Sequence, residues 1–234
     1  MSKQVYEQVG VAMTCRGFDE YARMFDLTER LLAKGKVLDV AGGGSSFTAD
    51  AGSRGYDATA ADPRYVQDTG AWLEEAAAEI EASTAKLDKL REHFDWSYYG
   101  SLEQHREGRV QSLERFRVHL QSTEGRSRYV AGSLPELPFE DNTFSLVLCS
   151  HFLFLYAGQF GFEFHKQSLL ELMRVCKPGG EVRVYPLYSL GWKPYERMDE
   201  LLAAVKANGG EPELLTSMLP FIPGSSQFLR IAIC

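Results

Sequence analysis

An α/β fold is predicted, doubly wound on a mostly parallel seven-stranded sheet, with a helical insertion between strands 2 and 3. Three observations predict it. Short apolar runs alternate with helical periodicity over most of the chain. A glycine-rich turn, Ala41-Gly42-Gly43-Gly44-Ser45, joins the first such run to a helix. Residues 67–122 show no strand pattern at all, only three- and four-residue spacing.

Taken in order, the residues through about Arg16 are polar and irregular and are expected to be loosely held. From Asp19, the apolar positions Tyr21, Met24, Phe25, Leu27, Leu31 and Leu32 predict one helix stopped at Gly35. Lys36–Val40 is a short strand, Ser46–Arg54 a helix of two or three turns, and Ala58–Ala61 a second strand ending at Asp62-Pro63. Strand, glycine turn, helix, strand and acid form the opening unit of a nucleotide-binding parallel sheet.

In 67–122, Leu73, Ala76, Ile80, Leu87, Leu90 and Phe94, then Val110, Leu113, Phe116 and Leu120, predict two helices around an aromatic tip, Asp95–Gly100. Opposite charges one turn apart, Asp88/Arg91, Glu103/Arg106 and Glu114/Arg117, suit solvated helix faces. A self-packed hairpin of this kind serves either as packing and homodimer contact or as a lid over a site. Beyond it, Arg128–Ala131 and Phe144–Ser150 read as strands, His165–Val175 as a helix stopped by Lys177-Pro178-Gly179-Gly180, and Glu181–Leu187 as a strand. Tyr195–Ala207 reads as a helix, and Glu213–Ser217 with Gln227–Cys234 as an antiparallel edge hairpin. With 234 residues, 44% hydrophobic and 24% charged, all of this fits one domain, 1–234.

A net charge of -7 disfavours a nucleic-acid backbone as partner and points to a small molecule or a protein as substrate, the small molecule being the leading reading. Cys15, Cys149, Cys176 and Cys234 form no CxxC pair. With no secretory signal they read as reduced thiols in a cytoplasmic protein. The five histidines do not cluster at metal-ligand spacing, and no apolar stretch is long enough to span a bilayer. Neither a metal site nor a membrane anchor is expected.

The chemistry converges on the ends of the first two strands. A glycine turn brings a ligand close to the backbone, and Asp62, nineteen positions after Gly43, is placed to accept ribose hydroxyls. Asp39 adds a carboxylate that would repel a pyrophosphate and suits a ligand carrying an amino group, although a loop cap is the alternative. His151 at the edge of the fourth strand is a candidate general base or a pocket wall. Tyr185 and Tyr188 either line the substrate side or pack.

Four stretches, VLDVAGGGSSF, TAADP, YVAGSLPELPFEDNTFSLVLCSHFLF and RVCKPGGEVRVYPL, together resemble class I S-adenosylmethionine-dependent methyltransferases, over roughly 21–63 and 128–187. The resemblance implies a Rossmann-like methyltransferase fold, S-adenosylmethionine as cofactor and methyl transfer as the activity. It places the methionine moiety on Asp39, Ala41, Gly42, Gly43, Gly44 and Ser45. The ribose goes to Asp62 beside Pro63, the adenine between Gly132, Ser133 and Leu134, and the floor near the sulfonium to Ser150, His151 and Phe152. Tyr21 would cover the cofactor from the first helix. The family's usual Gly-x-Gly-x-Gly reads here as Ala41, Gly43 and Ser45. Close approach survives provided the backbone needs no positive φ at the two substituted positions. Ser133 and Ser145 stand where acids are frequent, which leaves room for a second reading: a binding protein without transferase activity. A nicotinamide-dependent dehydrogenase is disfavoured by the altered glycine turn and Asp39.

Overall fold

The computed structural model describes residues 6, 8, 10–66 and 69–234. The expected loose N-terminus therefore falls partly outside it, as do Gln67 and Asp68 of the insertion. A single seven-stranded sheet has the order β3-β2-β1-β4-β5-β7-β6. Its strands are β1 (Val37–Val40), β2 (Ala58–Ala61), β3 (Tyr129–Val130), β4 (Phe144–Ser150), β5 (Cys176–Tyr185), β6 (Gly210–Thr216) and β7 (Gln227–Ile233). β1 pairs in parallel with β2 and β4, as do β2 with β3 and β4 with β5, whereas β7 runs antiparallel to both β5 and β6. The predicted doubly wound, mostly parallel sheet is thus present. Every residue of β1 and β4 is buried, as central strands covered on both faces require.

The expected element map differs in several places: β5 already begins at Cys176, so that Lys177–Gly180 belong to it, and a short helix at Thr123–Arg126 was not expected. The single N-terminal helix is two, α1 (Phe18–Met24) and α2 (Glu29–Leu32), because Asp26 takes a positive φ of 49° between them. The third strand keeps only two paired residues. Of the three charge pairs, Asp88/Arg91 and Glu114/Arg117 form, but Arg106 reaches across to Glu81 instead of Glu103. An arginine on one helix of a pair reaches an acid on its neighbour as easily as one on its own turn.

The remaining helices are α3 (Phe47–Ser53), α4 (Thr69–Lys89), α5 (Leu102–Gln121), α6 (Thr123–Arg126), α7 (Phe162–Val175) and α8 (Met198–Ala207). α4 and α5 stand between β2 and β3 in the chain and do not pack only on each other. Trp72, Ala76, Ile80, Leu113, Phe116 and Leu120 form one buried cluster with Ala60, Tyr65, Tyr129, Met13 and Cys15. Their far ends, through Leu87, Leu90, Phe94 and Leu102, meet Leu155, Tyr156, Phe221 and Ile222 beyond the C-terminal edge of β4. The helical pair therefore leans over the sheet edge where open α/β sheets bind ligands. Among the described residues no helix is long and apolar enough to cross a membrane.

Candidate functional site

β1 delivers the chain to the crevice between β1 and β4, where the strand order reverses. The turn there needs two left-handed residues, Ala41 at φ 58° and Gly43 at φ 51°. The proviso attached to the altered glycine pattern therefore fails at its first position. Alanine takes the conformation that glycine takes freely, at about 1–2 kcal/mol. Gly42 has no space for a side chain: a Cβ would stand 3.0 Å from both Asp39 Oδ2 and the Tyr65 hydroxyl.

Asp39 is 1% exposed, and the Tyr21 hydroxyl donates to its carboxylate at 3.1 Å from each oxygen. Burial pushes its carboxyl up to about 8, the Tyr21 hydrogen bond opposes this, and the Asp62 charge adds to it. Tyr21 is fully buried and stacks on Phe47 at 4.5 Å, so it is a core residue and a partner of Asp39 at once. Asp62 accepts from the Gly43 amide at 3.1 Å through one oxygen and from the Arg64 amide at 3.0 Å through the other. The amide bonds and the Arg64 charge only partly offset the burial that raises its carboxyl. The sequence suggests an accessible carboxylate whose loss spares the core. Instead Asp62 is 4% exposed and ties the glycine turn to the end of β2.

What hides these groups is the N-terminal segment. Residues Met13–Arg16 have no regular structure yet are held tightly, and Met13, Cys15 and Arg16 are buried. The Ser45 hydroxyl donates to the Thr14 carbonyl, the Ser46 amide to the Arg16 carbonyl, Arg109 to the Cys15 carbonyl and Arg64 to the Val11 carbonyl. The Thr14 backbone lies 3.3 Å from where a Gly43 Cβ would be, and Cys15 Sγ 2.8 Å from that of Gly44. The expectation of a loosely held segment is corrected here: backbone bonds and two missing Cβ atoms let the strap lie directly on the turn.

On its other side the strap walls a cavity of about 110 Å³. Ile80, Leu87, Phe94, Leu155, Trp192 and Phe221 make it apolar, while Arg16, His105, Arg109 and His151 also line it. Asp39, Gly43 and Asp62 are not in this wall. The structure thus gathers Tyr21, Asp39, the glycine turn and Asp62 on one side of the strap and His151 on the other. His151 is buried in a left-handed conformation (φ 52°), with Nδ1 2.9 Å from Ser150 Oγ. Burial, then Arg16 and Arg109, hold its imidazole well below the usual range, so it is neutral. Phe152 packs on Phe160. Pro63 is exposed and opens a 3-10 turn, Gly132 donates to the Asp62 carbonyl at 3.4 Å, Ser133 is exposed, and the Leu134 side chain belongs to the main core. Tyr185 packs: its hydroxyl donates to the Leu219 and Ser225 carbonyls.

Comparison with known proteins settles the family. A family model described as a methyltransferase domain matches residues 107–184. An uncharacterized protein of Methanocaldococcus jannaschii, MJ0045, is 31% identical over 193 residues, covering 82% of this chain and 85% of that protein. The chain belongs to the class I methyltransferase family. Two solved structures are also similar. One is a TehB-like SAM-dependent methyltransferase from Corynebacterium glutamicum (17% identity, 88% of this chain and 86% of that one, TM-score 0.47). The other is a SAM-dependent methyltransferase from Methanosarcina mazei (13%, 84% and 89%, TM-score 0.45).

The sequence reading missed a charged cluster under the strap. Glu20 accepts from Arg109, from the Tyr99 hydroxyl at 2.6 Å and from the Gly17 amide at 3.0 Å. Burial pushes its carboxyl up, but Arg109, Arg16 and these hydrogen bonds bring it below the ordinary range. The available signal was spacing: Arg16/Glu20 and His105/Arg109 each lie four residues apart, one helical turn. Their convergence across 89 residues of sequence had no signal.

Proposed function

We propose that the chain binds S-adenosylmethionine and transfers its methyl group to a small-molecule acceptor. The observation that carries this reading is Asp39: a buried carboxyl group that keeps its proton up to about 8 and whose ionised form lacks a cation among the described residues, beside a glycine turn at the sheet's switch point. Such a group is stabilised by a cation, and an α-ammonium on the ligand supplies one. Asp39 with Ala41–Ser45 would hold the methionine end, Tyr21 acting through Asp39. Asp62 beside Pro63 would take the ribose, and the Gly132–Leu134 backbone would flank the adenine. Ser150, His151 and Phe152 would form the floor.

The bound cofactor supplies a methyl group already activated on a sulfonium, so the protein's share is positioning and exclusion of water. The strap takes the space against Gly43 and Gly44, so a ligand on the turn displaces Thr14 and Cys15. Residues 67–122 act, on this reading, as an insertion within the single domain that roofs the site. Their apolar stripe faces inward, which leaves a homodimer through α5 little beyond the exposed Val110 and Val118 among the described residues. Neutral His151 can take a proton, but its lowered basicity makes it a weak base in the free protein.

Thermal unfolding with S-adenosylhomocysteine, S-adenosylmethionine and NAD tests the reading. A ligand at a hundred times its dissociation constant adds about 2.7 kcal/mol, which at this size is a rise of about 5–10 °C. The expected result is a rise with the first two only; no rise with either refutes the proposal. The strap and the weak base favour a second reading, a binding protein without transferase activity, which predicts the same rise.

A further inference from the structure

Among the described residues, the cavity beyond the strap carries more positive charge than its surroundings cancel. Arg16 and Arg109 contribute two cations, and Glu20 is the carboxylate that meets them. Arg109 takes Glu20 in a direct ion pair at 2.7 Å, whereas Arg16 Nε stays 3.8 Å from it, beyond hydrogen-bond reach. The Arg16 side chain is nine-tenths buried, and its Nε and Nη1 atoms have no hydrogen-bond partner among the described residues. Glu79 is engaged elsewhere, by the Met13 amide and the Gln8 side chain, and does not line the cavity.

His105 adds a further donor. Arg109 Nη2, which can only donate, lies 3.1 Å from His105 Nε2, so Nε2 accepts and the proton sits on Nδ1. That Nδ1–H is buried without a hydrogen-bond partner among the described residues. Burial, then Arg109 and Arg16, lower this imidazole to about 2, which agrees with the neutral form. His151 beside it is neutral as well. Arg16 and His105, which carry these unpartnered donors among the described residues, thus line the cavity beside an otherwise aliphatic and aromatic wall. Buried donors left without acceptors are costly, and a carboxylate satisfies several at once.

We propose that this cavity is a binding site for a small apolar carboxylic acid, its carboxylate held by Arg16 and the His105 Nδ1–H and its hydrocarbon body by Leu87, Phe94, Leu155 and Trp192. The cofactor's own amino-acid end is the other source of a carboxylate. The apolar wall disfavours a zwitterion, and the strap separates the cavity from Asp39, so a separate ligand fits better.

Isothermal titration with trans-cinnamate and its uncharged amide, trans-cinnamamide, tests this on the cofactor-free protein. A charge-assisted pair is worth a factor of at least about ten, so the acid is expected to bind at least tenfold more tightly than the amide. In Arg16→Met that preference falls to within about threefold. Arg16→Met gives up only the 3.8 Å pair with Glu20, which Arg109 still holds at 2.7 Å, so the variant is expected to melt close to the wild type. The acid–amide contrast in unmodified protein stands even if the variant fails to fold. Equal binding of acid and amide, or no binding of cinnamate at millimolar concentration, overturns the proposal. So does displacement of cinnamate by S-adenosylhomocysteine together with lost S-adenosylhomocysteine affinity in Arg16→Met, which would give the guanidinium to the cofactor. Cinnamate binding unchanged by S-adenosylhomocysteine, or present when that ligand fails to bind at all, supports the site independently of the methyl-transfer reading.

Discussion

Replacing Asp62 by alanine removes two acceptors at once. The Gly43 amide is buried beneath the strap, so it loses a charge-assisted bond with nothing to replace it, at about 2–3 kcal/mol. The Arg64 amide opens a partly exposed turn where water can substitute, so its loss costs about 1 kcal/mol or less. Asp62→Ala is therefore expected to lose about 3 kcal/mol of stability, a fall in Tm of about 6–12 °C. Asp62→Asn keeps one acceptor oxygen and is expected to lose about half as much. Urea unfolding followed by circular dichroism gives both values. On the proposed function, titration with S-adenosylhomocysteine shows at least tenfold weaker binding for both variants. Unchanged stability in Asp62→Ala refutes the reasoning that this carboxylate holds the turn to β2. Unchanged affinity in Asp62→Asn refutes its assignment to the ribose.

Three further outcomes follow from buried groups. Asp39 holds its proton up to about 8 in the folded protein, against about 3.9 in an unfolded chain. Between those values the folded state binds more protons, so this contribution is complete below about pH 4 and is lost as pH rises through about 8. Urea midpoints at about pH 5 and 8.5 should fall further in wild type than in Asp39→Asn; parallel curves would contradict it. Phe116 is fully buried, 4.8 Å from Tyr129 and 5.0 Å from Trp72, so Phe116→Ala should cost about 3–5 kcal/mol in the same assay. Replacing 67–122 by a short linker should give insoluble protein, because Ala60, Tyr65 and Tyr129 lose their cover; a soluble, cooperatively melting product would show a self-packed hairpin.

The sheet was legible in the sequence because its signals are local. VLDV and FSLVLCS are continuous apolar runs of strand length, and each is buried on both faces as a central parallel strand. The glycine turn was legible for the same reason: residues 41–45 must bend between a strand and a helix within a few positions. Asp39 and Asp62 were placed by their distance from that turn. What local pattern could not show is what lies against what. Arg16 reads as a polar terminal residue until α5, ninety positions later, brings Arg109 and His105 to it. Residues 67–122 have the periodicity of a self-packed hairpin, and the stripe that makes it is the one that covers β2 and β3. Periodicity reports that a face is apolar, not which surface removes it from water. The chain itself determined the strands, the turn and the carboxylates beside it. Only tertiary packing decided that a strap seals the turn and that the buried Arg16 guanidinium lines the cavity behind it, because both depend on contacts between segments whose sequences carry no mark of one another.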